Sequence, residues 1–459
     1  MHKVRWLMLL SAYESRRSLK RNDMRSVRAS GRSRQEGSFA AKRLTALIAL
    51  CYSTVILTSC GTSGFAPSPV GISGASRQRP NTHAPMTGSF FKLYTFKGGK
   101  DGRSPSAGLV ALNGNLYGTT VRGGTGCKGS GCGVVFSLSL KSHAERVLHA
   151  FRGGKDGANP YAGLLVVNGS LYGATLGGGS YCDCGTVFEL NPSSGQEKVV
   201  HRFSKGREGN KPSTNLVALD GKIYGSAGEG GSNRCTDGCG TIFQFDPASQ
   251  GLRVIHSFNG EDGANFAYLT AFNGKLYGAT AFGGSGCSDG CGTIFSLSPS
   301  SGVETVLHSF RGGRDGEDPA AAPVIQGRVI YGTTLSGGDA YCSSSIRSCG
   351  TLYTFDLASH KETVVHRFNG YGGAGPAAAL RAIGDEMYST TSEEGSCSCY
   401  GGSFYGTIFS YVPKTNRFAV VYRLEEKVDG GEPESNLIAI QGKLYGTTPR
   451  GGGWIRYSF

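Results

Sequence analysis

Beyond residue 60 the apolar residues fall in short runs, with no sustained stretch at the 3.6-residue spacing of a helix. One copy of the pattern extends from Gly108 to Phe151. It reads Leu109-Val-Ala-Leu112, Leu116-Tyr-Gly-Thr-Thr120, Val134-Val-Phe-Ser-Leu138 and Arg146-Val-Leu-His-Ala-Phe151. Runs of four to six residues rich in Val, Leu, Phe, Tyr and Thr predict β-strands. The polar spacers support this. Asn113-Gly114, Asn168-Gly169, Asp220-Gly221 and Asn273-Gly274 separate the first two runs of successive copies. Asn-Gly and Asp-Gly tolerate positive φ at both central positions and so close tight antiparallel hairpins. Gln326-Gly327, Gly384-Asp385 and Gln441-Gly442 hold the same place later. Pro-Ser-Gly turns such as Asn191–Gly195 and Ser298–Gly302 link the third and fourth runs. Chain neighbours are therefore expected to pair antiparallel.

The second run returns, with variations, around Tyr117, Tyr172, Tyr224, Tyr277, Tyr331, Tyr388 and Tyr445. The intervals are 55, 52, 53, 54, 57 and 57 residues. A fixed period marks copies of one small unit that cover each other. A lone four-stranded sheet cannot bury both faces, but sheets set radially around an axis can. The expected fold is all-β, a seven-bladed propeller of four-stranded antiparallel blades spanning residues 89–459, with strands A to D running from axis to rim. Lys92-Leu-Tyr-Thr-Phe96 has D-strand character and precedes every A strand. The last copy supplies A (437–440) and B (443–447), with Trp454–Phe459 as a poor match for C. The N-terminal strand is expected to complete that last blade.

The arrangement resembles the kelch class of propellers. It resembles more closely the GloVer repeats of bacterial exported proteins, through the text NGKLYGATAFGGSGCSDGCGTIFSLSPSSGVETVLHSF from Asn273 to Phe310. The resemblance covers roughly residues 90–459. It implies tandem repeats displayed on varied surface anchors and carries no agreed activity.

Residues 1–60 read as an export signal. Lys42 and Arg43 precede the apolar stretch 44–59, whose 16 residues are short for a membrane span. Leu57-Thr-Ser-Cys60 resembles the lipobox, which implies lipidation of Cys60 and anchoring to the outer membrane or cell surface. Residues 61–88, rich in Gly, Ser and Pro, read as a flexible linker. This changes the meaning of the net charge of +14. Residues 1–60 hold 12 Lys/Arg against 3 Asp/Glu, leaving 35 against 30 of the total 47 and 33 for the rest. An excess of +5 with no basic stripe argues against nucleic acid as a partner.

Twelve cysteines form local pairs between strands B and C: Cys127/Cys132, Cys182/Cys184, Cys235/Cys239, Cys287/Cys291, Cys342/Cys349 and Cys397/Cys399. In an exported chain this spacing indicates disulfides. Zinc would need four ligands where each loop offers two, so no metal and no cofactor is expected. The wider loops should each gain about 2 kcal/mol from closure.

Alternating strand direction puts the long B–C and D–A loops on one face of the disk, where binding is expected. Residues just before strand A should ring the channel mouth there: Ser106, Tyr161, Asn215, Tyr268, Asp318, Glu434 and Asn436. Polar and aromatic, they suit a polysaccharide or protein ligand on a monomer anchored to the membrane. His149, His201, His256, His308 and His366 share a D-strand register at the rim, too far apart to converge on one substrate. Asp101, Asp156, Asp262, Asp315 and Asp429, with Glu208 as a variant, read as turn formers; the alternating acidic set of a calcium loop is missing. The sequence favours a surface-anchored binding propeller. The alternatives are a glycan-active lyase or hydrolase using Asp318 and Glu434, or a spacer without ligand.

Overall fold

In the computed structural model, residues 90–179, 181–288, 290–338, 349–370, 372–393 and 404–450 are described. They form six antiparallel blades arranged as a β-propeller, five with four strands and the third with a fifth short strand, Asn210–Pro212, followed by a two-stranded sheet. Blade 1 comprises Val110–Leu112, Asn115–Thr120, Val134–Ser139 and Glu145–Ala150. Each expected run is thus found, within a residue or so at its ends. The outer strands D of the next blades are Glu197–Arg202, Gly251–Ser257, Glu304–Ser309, Lys361–Arg367 and Arg417–Glu425. The two-stranded sheet pairs Ile438–Ile440 with Lys443–Tyr445. A seventh four-stranded blade is therefore not found among the described residues. Lys92–Phe96 joins no ladder, and Trp454–Phe459 lies outside the described residues.

The recurring phrase now has a physical meaning at each position. Successive side chains of a strand point to opposite faces, so they meet different neighbours. Leu171 packs in the core between blades 1 and 2, whereas Tyr172 packs between blades 2 and 3. Ile223/Tyr224 and Leu276/Tyr277 repeat this division one and two blades on. The glycine that follows lies under an aromatic ring of strand C. A Cβ on Gly173 would come 2.4 Å from Phe188, and one on Gly278 would come 2.3 Å from Phe295. The threonines close the strand end: Thr175 Oγ1 contacts Thr186 Oγ1 at 2.8 Å and accepts the Thr186 N–H at 3.1 Å.

The hairpin expectation is met. Asn113 and Gly114 have φ of 50° and 76°, and Asn273 and Gly274 have 47° and 71°. Between blades, the phenylalanine after strand D of blades 1 to 5 meets the strand-C ring of the next blade edge-on. The ring centres are 5.2 Å apart for Phe151–Phe188, 5.3 Å for Phe203–Phe243 and 5.5 Å for Phe258–Phe295. Five buried clusters of this kind constitute the described core.

Candidate functional site

The corner leading into each strand A fixes the face where the long loops gather. Its residue takes the left-handed conformation at Ser104, Asn159, Lys211, Asn265, Asp318, Gly375 and Glu432, with φ between 55° and 70°. Six of these donate their N–H to the preceding blade. Asn159 reaches Cys132 O at 2.7 Å, Lys211 reaches Cys184 O at 2.8 Å and Asp318 reaches Cys291 O at 3.0 Å. Asn265 and Gly375 do the same to Cys239 and Cys349. In blade 6 the acceptor is Tyr405, at 2.8 Å from Glu432 N. The cysteine that ends a B–C loop thus presents the carbonyl on which the next blade rests.

Four of the expected disulfides are formed, with Cα–Cα separations of 5.1 to 5.8 Å. Cys349 is also disulfide-bonded. Cys342, Cys397 and Cys399 lie outside the described residues, as does Cys60. Such bonds belong to an oxidising compartment.

The expected channel-mouth residues divide into two groups. Asn215 Oδ1 accepts Gly163 N at 2.7 Å, and Asn436 Oδ1 accepts Ala379 N at 2.7 Å. Both amides tie one blade's leader to its neighbour. Ser106 sits half-buried on the leader of blade 1, next to Ala107, whose carbonyl accepts Thr447 Oγ1 at 3.1 Å. Tyr161, Tyr268, Asp318 and Glu434 instead form one electrostatic group. Burial, then the Glu434 carboxylate, pushes the Tyr161 phenol up to about 12, with Arg122 opposing. Burial, Glu434 and Asp318 push Tyr268 up to about 12. Both tyrosines are half-buried and Glu434 is exposed. Phenols from blades 2 and 4 thus sense one carboxylate of the last sheet. Sequence reasoning missed Arg122; its place just past strand B, on the same face as the leaders, was the available signal.

The rim histidines each meet the acid of their own loop. His149 Nε2 lies 3.3 Å from Asp156, His256 3.2 Å from Asp262, His308 3.2 Å from Asp315, and His201 2.7 Å from Glu208. The same acids close their loops, as Asp156 Oδ2 does by accepting Arg152 N at 2.7 Å. Burial lowers the His149 and His201 pKa values. Sequence reasoning missed a third group, the glutamate of the neighbouring D strand. Glu197, Glu304 and Glu362 are pushed up to about 7, by burial first and then by Asp156, Asp262 and Asp315. Their position four residues before the recurring histidine was the missed signal.

Tyr94, Asp101 and Glu145 repeat this arrangement with a phenol in place of the imidazole. Tyr94 donates to Asp101 at 2.6 Å, and Glu145 is pushed up to about 7 by burial and then by Asp101. The folded state therefore holds a proton on Glu145 that the unfolded chain has lost above about pH 4.5, the ordinary value. Stability from this group is present below pH 4.5 and is lost as pH rises to about 7. Partial solvent screening reduces it to about 1 kcal/mol. Glu145→Gln should consequently show a shallower fall in Tm from pH 4.5 to 7.5 than the parent; parallel curves would refute the assignment.

Residues 82–236 and 128–346 match the Gloeobacter/Verrucomicrobia repeat. The chain belongs to that family. No curated protein sequence matches. Among solved structures, the extracellular domain of a hybrid two component system from B. thetaiotaomicron aligns with a TM-score of 0.51 at 10% identity. That alignment covers 78% of this chain and 39% of the other. The nidogen/laminin complex gives a TM-score of 0.39 at 11% identity, covering 64% of this chain and 91% of that one. Oligogalacturonate lyase in complex with manganese gives 0.40 at 12%, covering 63% and 71%. At 10% identity the likeness to the extracellular domain concerns the fold alone. In this chain the repeated unit is a propeller blade, and the carbonyls of the loop-ending cysteines accept from the corner residues of the next blade.

Proposed function

We propose that this chain is an exported, lipid-anchored binding propeller that takes a polysaccharide or protein ligand at the channel mouth. The observation that carries this reading is the shared action of Glu434 on Tyr161 and Tyr268, which lie in different blades. Phenol rings offer flat apolar faces to sugar rings or side chains, while Glu434, Asp318 and Arg122 supply directional polar contacts. The lipid on Cys60 and the linker 61–88 would tether the propeller to the membrane. A glycan-active enzyme is the second reading, because Asp318 and Glu434 both act on Tyr268.

The same reading includes a seventh blade closed by the N-terminal segment. Phe96 meets Phe136 of blade 1 at 4.9 Å, as the other post-D phenylalanines meet their neighbours. Phe90 stacks on Tyr422 of blade 6 at 5.0 Å, as Phe418 stacks on His366 at 3.7 Å. Residues 90–96 thus make D-strand contacts toward both sides.

Glycan arrays and surface-protein pull-downs with the full chain test the binding. Tyr161→Ala and Tyr268→Ala should each weaken capture of the bound ligand by about 10- to 100-fold. Capture unchanged in both variants would remove the channel mouth as the site.

A further inference from the structure

Three rim junctions carry the same residue set from two blades: His149/Asp156/Glu197, His256/Asp262/Glu304 and His308/Asp315/Glu362. In each, one imidazole nitrogen and two carboxylate oxygens lie within 4.8 Å of one another. The histidine comes from strand D, the aspartate from the loop that follows, and the glutamate from strand D of the next blade. Glu197 Oε1, Glu304 Oε1 and Glu362 Oε1 are sealed from solvent without a hydrogen-bond partner, as is Glu145 Oε1 at the Tyr94 junction, so the imidazole is what sets these three junctions apart. His256 Nε2 lies 3.2 Å from Asp262 without hydrogen-bond geometry, a property it shares with His201 Nε2 and His366 Nε2. Two carboxylates and one imidazole in a cleft call for a positive charge. The His–Asp separations of 3.2 to 3.3 Å, hydrogen bonds at His149 and His308, are also compatible with the edge of a coordination polyhedron with ~2.0–2.1 Å bonds, ~3–3.5 Å.

We propose that each of these three junctions binds a divalent transition-metal ion of the zinc class, which pins one blade to the next. One imidazole with two carboxylates suits such an ion; all-oxygen ligation would suit calcium or magnesium, and thiolates a softer metal. The remaining junctions act as built-in controls. Leu252 stands at the glutamate's position beside His201 and Glu208, and Phe418 stands there beside His366. At Tyr94/Asp101/Glu145 the imidazole is replaced by a phenol that donates its proton to Asp101. The described residues therefore offer sites for three ions.

The test is calorimetric titration of the untagged, chelator-stripped full chain with zinc chloride at pH 7.5, with bound metal counted after desalting. Three equivalents are expected, with magnesium giving none. Glu304→Gln should bind two, the triple change Glu197→Gln/Glu304→Gln/Glu362→Gln should bind none, and Glu145→Gln should keep three. Circular dichroism of each variant confirms the fold. No retained zinc in the folded parent, or an unchanged count in the folded triple variant, overturns the proposal.

Discussion

Phe96→Ala is expected to lower stability by about 2–4 kcal/mol, somewhat below a fully buried phenylalanine. Phe91→Ala should change it by no more than about 0.5 kcal/mol. The contrast follows from alternation along residues 90–96. Phe96 packs on Phe136 of blade 1 and Phe90 on Tyr422 of blade 6, while Phe91 is 76% exposed between them. Lys92 adds a contact to Val428 O at 3.1 Å. If this segment closes the ring, every blade shares the loss, because an opened seam exposes the inner faces of its neighbours. Chemical denaturation of the two variants measures the difference. Equal midpoints for both would mean that the segment only lies on the surface, and the proposed seventh blade would be lost.

Phe295→Ala is expected to cost about 3–5 kcal/mol. Its ring is fully buried, covers Gly278 and meets Phe258 at 5.5 Å. Gly278→Ala should cost about 1–3 kcal/mol, since its Cβ would press on that ring and a packed ring moves only by disturbing its neighbours. The double variant should lose less than the sum, because the new methyl group enters the space the ring vacates. Strictly additive losses, measured by denaturant midpoints, would refute the contact. Blade 6 shows how a Cβ is accommodated. Ser389 replaces the glycine opposite Phe409 and donates its hydroxyl to Ala378 O at 2.9 Å.

The rim and the mouth differ in how they could be read beforehand. His149 and Asp156 are seven residues apart, so their recurrence was visible, but it suggested two separate structural roles. Glu197 joins them from the next blade, and only packing brings it there. At the mouth, Tyr161, Tyr268, Asp318 and Glu434 were singled out by their place before strand A. The same rule selected Asn215 and Asn436, whose amides the structure commits to backbone groups. Composition cannot separate these two outcomes, because both kinds of residue are polar and equally spaced.

What the sequence determined by itself was local: strand lengths, Asn-Gly hairpins, antiparallel order within a blade, and cysteine pairs two to seven residues apart. These follow from backbone stereochemistry and short loop closure, which act within one repeat. The tertiary structure decided which faces of neighbouring blades meet, why glycine follows the repeated tyrosine in six of the seven copies, and which carboxylates share a rim junction. Those outcomes depend on the inter-blade register, which is set by packing bulky rings against flat backbone, and no spacing within a single repeat encodes it.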